Sequence, residues 1–226
     1  MNLAGQTVMV TGASGAVGKV IVDYHGKKAA QVISVVRGYS VDWERLNPQH
    51  SKVICDLSDR NAVMNLIALI WKNAGSCHAA VNTAGGFSMG GSVDEAAPDQ
   101  WANMWQINFL TALHVCAAVL PRFKAQGFGR IINFGSAAGD TGMRMAGPYA
   151  ASKAAVHNLT LTLAAEGNAG ITANLIVPSL IDTPANRKAI PGASVASWTK
   201  PIEIAETVAR ILNQEDDPPN GQRYES

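Results

Sequence analysis

A chain of 226 residues, 47% hydrophobic and 15% charged, has the length and apolar content of one compact α/β domain, which excludes a large multidomain architecture. Lys and Arg number 18 against 17 Asp and Glu, for a net charge of +1; this offers no basic footprint for nucleic acid or an anionic membrane, and a small-molecule partner is expected instead. The opening MNLAGQTVMV has no charged leader, and apolar stretches such as 110–120 stop short of the 18 or so residues that a bilayer span needs, so a soluble, cytoplasmic protein is expected.

Short β-branched runs alternate with longer helical patterns along the whole chain. Strands are predicted at 7–10, 31–36, 52–55, 79–81, 130–134 and 172–177, with a short seventh near 222–224. Helices are predicted at 16–24, 60–71, 100–126, 149–165 and 202–212, the last opened by Pro201 in a first-turn position with Glu203 near the positive helix end. This alternation is the pattern of a parallel sheet covered on both faces. The expected fold is α/β, a single doubly wound domain over residues 1–226 with a mostly parallel, about seven-stranded sheet flanked by helices. The irregular stretches 85–98, 136–148 and 178–200 each follow a strand, and loops at the carboxyl ends of strands build the ligand crevice of such sheets, so the three are predicted to line one site.

The first strand runs into Thr11-Gly-Ala-Ser-Gly-Ala-Val-Gly18. Gly12, Gly15 and Gly18, with Ser14, Ala16 and Val17 between them, then form the turn into the first helix. Missing Cβ atoms let phosphate approach bare backbone, and free N–H groups at the helix start favour a diphosphate. The second strand ends Val-Val-Arg-Gly, without the carboxylate that accepts bonds from adenosine ribose hydroxyls in dinucleotide folds. Arg37 stands just beyond, where a guanidinium suits a 2′-phosphate, so NADP(H) is expected over NAD(H); the alternative for Arg37 is a solvated loop cation.

Tyr149 and Lys153 lie four residues apart, on one face of a predicted helix. A nearby ammonium favours phenolate and is expected to bring the Tyr149 pKa toward working range. Ser136, thirteen residues earlier and immediately after a strand, is placed to hold a substrate oxygen. The five histidines have no metal-ligand spacing and the three cysteines form no CxxC pair, so no metal is expected. Gly86-Phe-Ser-Met-Gly90 matches a hydrolase nucleophile elbow in letters, but the strand and helix that should abut Ser88 are not predicted there. Phe87, Met89, Met143, Met145 and Trp198 fall in the crevice loops, as an apolar substrate wall or as packing.

Together these residues resemble the short-chain dehydrogenase/reductase superfamily over nearly the whole chain. Asp56-Leu57 after the third strand, Asn82-Thr-Ala-Gly85 after the fourth, Asn108 in the long helix and Pro178-Ser-Leu-Ile-Asp-Thr183 after the sixth follow in the family's order. The resemblance implies a Rossmann domain in which Asp56 and Leu57 approach adenine, and Asn82, Ala84 and Gly85 line the adenosine side. It implies that Pro178, Ile181 and Thr183 hold the nicotinamide end. By the same resemblance Asn108, Ser136, Tyr149 and Lys153 form a catalytic tetrad in which Lys153 holds the nicotinamide ribose and lowers the Tyr149 pKa. The implied activity is NADPH-dependent reduction of a small or medium carbonyl compound, or the reverse alcohol oxidation. Ala16 and Ser179 stand where glycines are usual, and segments 84–91, 180–191 and 197–199 are similar to quinonoid dihydropteridine reductases, which makes a pterin reductase the alternative; a non-catalytic NADP(H) sensor is the non-enzyme reading. Helices at 107–123 and 149–165 are apolar on nearly every face, so a homo-oligomer, dimer or tetramer, is expected.

Overall fold

Along the first strand Val8 and Val10 enter one hydrophobic cluster and Met9 the other, and the same alternation separates Val32 from Ile33 and Ile132 from Ile131. Side chains that alternate between two buried faces need helices on both sides of the sheet. The computed structural model describes residues 5–28, 30–167, 170–214 and 218–226. In chain order the elements are β1 (Thr7–Thr11), α1 (Ala16–Gly26), β2 (Gln31–Val36), β3 (Asp42–Asn47), β4 (His50–Ile54), α2 (Arg60–Ala74), β5 (Ala79–Asn82) and α3 (Pro98–Met104). A π-helical segment (Trp105–Leu110) leads into α4 (Thr111–Gln126), β6 (Gly129–Phe134), α5 (Ala138–Thr141), α6 (Gly147–Glu166), β7 (Ile171–Val177), α7 (Pro184–Ala189), a 3-10 turn (Val195–Ser197), α8 (Pro201–Asn213) and β8 (Arg223–Glu225).

The sheet has eight strands in the order β3-β4-β2-β1-β5-β6-β7-β8. Every neighbouring pair is parallel except β3 with β4. One core cluster joins Met9, Ile33, Val53 and Ile131 to Leu66 and Ile70 of α2 and Val115, Val119 and Phe123 of α4; the other joins Val8, Val10, Val81 and Ile132 to Ile21 of α1 and Ile204 and Val208 of α8. The chain leaves β1 toward β2 on one side and returns to β5 on the other, so the order reverses beside β1 and a crevice opens at the strand ends there.

Three expectations need correction. The sheet has eight strands rather than about seven, because Asp42–Asn47 adds an antiparallel edge strand that hairpins into β4. The helix predicted from 100 runs from Pro98, where a proline is tolerated in the first turn, and its middle is π-helical. That 29-residue span contains an 18-residue window of mean hydropathy 1.3, long and apolar enough by composition to cross a bilayer, contrary to the reading of short apolar stretches. Its Val115, Cys116, Val119 and Phe123 are buried in the core against the sheet, which accounts for part of the apolar character; 39% of the window is buried.

Candidate active site

The turn after β1 is held by main chain. Gly12 has φ +63°, and a Cβ there would lie 2.8 Å from the Ala84 Cα, so only glycine lets the β1 turn and the β5 loop meet. Thr83 Oγ1 donates to the Thr11 carbonyl at 2.6 Å, and the Ala84 N–H donates to Thr11 Oγ1 at 3.3 Å. Helix α1 begins after Gly15 with no side-chain cap and no acid in its first turn. Its leading N–H groups thus lack a side-chain acceptor, the condition a bound phosphate satisfies.

This turn opens onto a cavity of about 290 Å³. Gly12, Ser14 and Gly15 line it from the first turn, Arg37 from the end of β2, Asp56 and Leu57 from beyond β4, and Ala84 and Gly85 from beyond β5. Thr83, inside the Asn82-Thr-Ala-Gly85 segment, lines it too, and the sequence reading missed Cys55, Ser58, Asn103, Gln106, Ile107 and Thr111, which also line it. The helical positions among these, Asn103, Gln106, Ile107 and Thr111, recur three and four residues apart, a spacing that could have flagged one helix face. The Asp56 carboxylate is held below its ordinary range by bonds from the Ser58 hydroxyl and N–H at 2.7 and 3.0 Å, with the Arg37 charge adding to the effect. Ala16, Val17 and Gly18 are in the first turn of α1.

Asn82 does not line the cavity. Its amide donates to Asn133 Oδ1 at 2.9 Å, and Asn133 in turn donates to Thr160 Oγ1, so it ties β5 to β6 and α6 inside the core. Pro178, Ile181 and Thr183 follow β7 and do not line it either. Thr183 caps α7 by accepting the Asn186 N–H, and Ile181 bridges to Thr199.

Beyond the cavity the four residues of the expected tetrad converge from three places: Asn108 from the π-helical segment, Ser136 from just past β6, and Tyr149 and Lys153 from α6. Asn108, 1% exposed, sits in the π-helical segment and pairs with the Gly86 main chain, accepting its N–H at 2.9 Å and donating to its carbonyl at 3.0 Å. It also donates to Ser152 Oγ at 3.0 Å, which fixes it against α6. A Cβ at Gly85 would stand 2.6 Å from Asn108 Oδ1 and 3.7 Å from Lys153 Nζ, so these two side chains face each other across that glycine. Buried Lys153 donates to the Phe134 carbonyl at 2.8 Å, and burial pulls its ammonium down to about 8.

Burial also pushes the Tyr149 phenol above its ordinary value, against a smaller opposing effect of hydrogen bonding with Ser136. This reverses the expected direction: Lys153 Nζ lies 6.0 Å from the Tyr149 ring centroid and spends a proton on Phe134, so desolvation prevails. Phe87 packs edge-on to the Tyr149 ring with centroids 4.9 Å apart.

Phe87, Met89 and Met143 are exposed in the crevice loops, whereas Trp198 is buried and belongs to the packing. Arg187 is engaged by Asp182 at 2.5 and 2.7 Å. Ser88 lies in the loop between Asn82 and Pro98 with neither strand nor helix abutting it, as its reading against a nucleophile elbow required.

A family model described as short chain dehydrogenase matches residues 6–193. The chain is similar to a 3beta-hydroxysteroid dehydrogenase of Mediterraneibacter gnavus, 32% identical over 205 residues that cover 88% of this chain and 72% of the relative. It is similar also to the 3-oxoacyl-(acyl-carrier-protein) reductase FabG of Vibrio cholerae, 26% identical over 95% of this chain and 93% of that protein. Neither relative carries a pterin name, and the local likeness to dihydropteridine reductases gains no support from them. Among solved structures, ligand-free aldohexose dehydrogenase of Thermoplasma acidophilum matches with a TM-score of 0.86 at 24% identity, covering 99% of this chain and 92% of that one. ElxO with NADP bound matches with a TM-score of 0.88 at 22% identity, covering 97% and 96%. At these identities the structural likeness concerns the fold.

Proposed function

Because the chain belongs to the short-chain dehydrogenase family and is an oxidoreductase of that type, we propose that it reduces an apolar, small or medium carbonyl compound with NADPH, or runs the reverse alcohol oxidation. The observation that carries this reading is the convergence of Asn108, Ser136, Tyr149 and Lys153 beside a cavity whose first turn is bare main chain. The uncapped start of α1 and the Cβ-free approach of Gly12 to Ala84 fit a dinucleotide diphosphate. Gly12 to Gly18 would hold the diphosphate, Arg37 the 2′-phosphate, Asp56 and Leu57 the adenine, and Ala84 and Gly85 the adenosine side. Tyr149 and Lys153 would meet the nicotinamide ribose, and Pro178, Ile181 and Thr183 the nicotinamide amide.

When bound, the cofactor supplies or takes a hydride. Tyr149, a phenol protonated at neutral pH in any case and raised further above its ordinary value by burial, gives the proton to the substrate oxygen. Ser136 donates to the same oxygen, where charge grows during reduction, so its bond is worth most in the transition state. Lys153, whose ammonium has donors beyond the one engaged by the Phe134 carbonyl, would bond the ribose, and Asn108 keeps the Gly85–Gly86 main chain and Lys153 in register. The exposed Phe87, Met89 and Met143 favour an apolar substrate, in keeping with the steroid and acyl names of the two relatives. Three buried, unpaired cysteines suit a cytoplasmic location, and exposed Trp105 and Leu161 on the long helices suit a homo-oligomer.

The test is NADPH oxidation across a panel of steroid ketones, 3-oxoacyl thioesters and simple ketones, run beside Tyr149→Phe. Wild type is expected to consume NADPH with at least one carbonyl. Tyr149→Phe should bind NADPH within about twofold of wild type and lose at least about a hundredfold in turnover; near-normal turnover in that variant removes Tyr149 from the chemistry.

A further inference from the structure

Ser136 is held by its main chain as well as its side chain. Its backbone N–H donates to Nε2 of His157 at 3.2 Å. His157 lies one turn beyond Lys153 on α6, and its ring is packed so closely against Gly135, the residue before the serine, that a Cβ there would fall 2.3 Å from Nε2. The other ring nitrogen, Nδ1, bonds Asp140 Oδ1 of α5 at 2.9 Å, and the second oxygen of Asp140 is bonded by Arg223 of β8. Arg223 in turn meets Glu225 at 3.3 Å.

A backbone amide only donates, so Nε2 must accept and the ring proton resides on Nδ1, directed at Asp140. Adding a proton to Nε2 sets one N–H against another and breaks the bond to Ser136. We propose that His157 is a positioning residue: neutral, it holds the Ser136 main chain and so aims the Ser136 hydroxyl, and protonated, it releases the serine and lowers turnover, with Asp140 and Arg223 setting the pH of the change. The inference rests on the reading of Ser136 as the donor to the substrate oxygen.

The groups facing the ring are few. Asp140 stands on α5, Arg223 on β8 and Lys153 on the ring's own helix, while the end of β6 presents only the main chain of Gly135 and Ser136. Burial lowers the His157 pKa from its ordinary value, Asp140 raises it, and Arg223 and Lys153 lower it further. A neutral ring near pH 7 and a change on the acid side follow.

Nitrogen-15 NMR of uniformly labelled, cofactor-free protein reads the ring and the Ser136 amide together. The expected result is an unprotonated Nε2 at neutral pH and a Ser136 amide resonance that moves with the ring's titration in acid, a movement absent from His157→Gln. On any carbonyl that wild type reduces and Tyr149→Phe does not, kcat should fall in acid with the same midpoint. That acid limb should vanish in His157→Gln, whose amide oxygen can still accept from Ser136. His157→Leu, which leaves the Ser136 N–H without a partner, should lose about tenfold in kcat, more than His157→Gln, with NADPH affinity within about twofold of wild type. Asp140→Asn should shift the acid limb to lower pH and Arg223→Gln to higher pH, a pair of opposite signs that a merely structural role does not produce. A Ser136 amide indifferent to the ring, a ring that stays neutral until the chain unfolds, or an acid limb unchanged in His157→Gln overturns the proposal. If no carbonyl is reduced, the reading of function fails, and the NMR coupling still decides the positioning of Ser136.

Discussion

The two ends of the crevice are made of different material. At the nucleotide end the shape is set by main chain: Gly12 against Ala84, Thr83 and Thr11 bonded across strands, and an uncapped helix start. At the substrate end it is set by side chains on loops, with Phe87 55% and Met89 56% exposed, and the loops are joined by the Gly90 N–H donating to the carbonyl of Met145 at 2.9 Å. Met145 adopts φ +63°, a conformation costly for a non-glycine residue, so that junction is held under local strain. A surface of backbone atoms tolerates few substitutions, whereas a wall of exposed apolar side chains can be changed one residue at a time. Under the proposed function, one end would keep a cofactor while the other exchanges substrates.

Substitutions at each end should separate them. Ser136→Ala, where the two ends meet, is expected to cut turnover on the best ketone by about ten- to a thousandfold, the range for losing one oriented donor; steady-state rates would detect this, and an unaffected rate on a quinonoid dihydropterin, with no ketone reduced, would favour the pterin alternative. Gly12→Ala should weaken NADPH binding by about a hundredfold, since strain at positive φ and the clash with Ala84 together cost a few kcal/mol; fluorescence titration checks it, and unchanged affinity would mean that the turn is not a cradle. Arg37→Asp should weaken NADPH by about ten- to a hundredfold, the worth of charged hydrogen bonds, while changing NADH much less. Dissociation constants for both cofactors in both proteins decide that point, and a wild type preferring NADH reverses the assignment. Phe87→Ala, at the far side of the contrast, should change kcat/KM by less than about tenfold and leave NADPH affinity alone; a loss of cofactor binding there would erase the distinction between the ends.

The nucleotide end was the more legible in the sequence for the same physical reason. Glycines at 12, 15 and 18 after a β run are required by close main-chain contacts, and Tyr149 with Lys153 is required by helical spacing, so both leave a pattern in the letters. The edge strand Asp42–Asn47 left none: its residues are exposed except for half-buried Trp43, and a strand without a buried face has no apolar alternation to read. The π-helical segment was also silent, because a shift in backbone bonding register does not change which residue types suit a helix. That the Asn82 side chain turns into the core could not be read, because an asparagine near the cavity and one turned inward look alike in one dimension; its partners Asn133 and Cys116 are 51 and 34 residues away. His157 was passed over because its significance lies in Asp140 and Arg223, which only the folded chain brings beside it.

The polar hairpin strand has a consequence for how this chain behaves in company. β3 ends one side of the sheet with Asp42, Glu44, Arg45 and Asn47, and the short β8 ends the other with Arg223 and Glu225. Both edges therefore offer a stranger's backbone charged side chains in place of a long apolar ribbon, and charged or short edges discourage the strand-by-strand accretion that leads to insoluble aggregates. Replacing Glu44 and Arg45 with valines would extend the apolar character of one edge, and the substituted chain is expected to precipitate at a lower concentration than the parent.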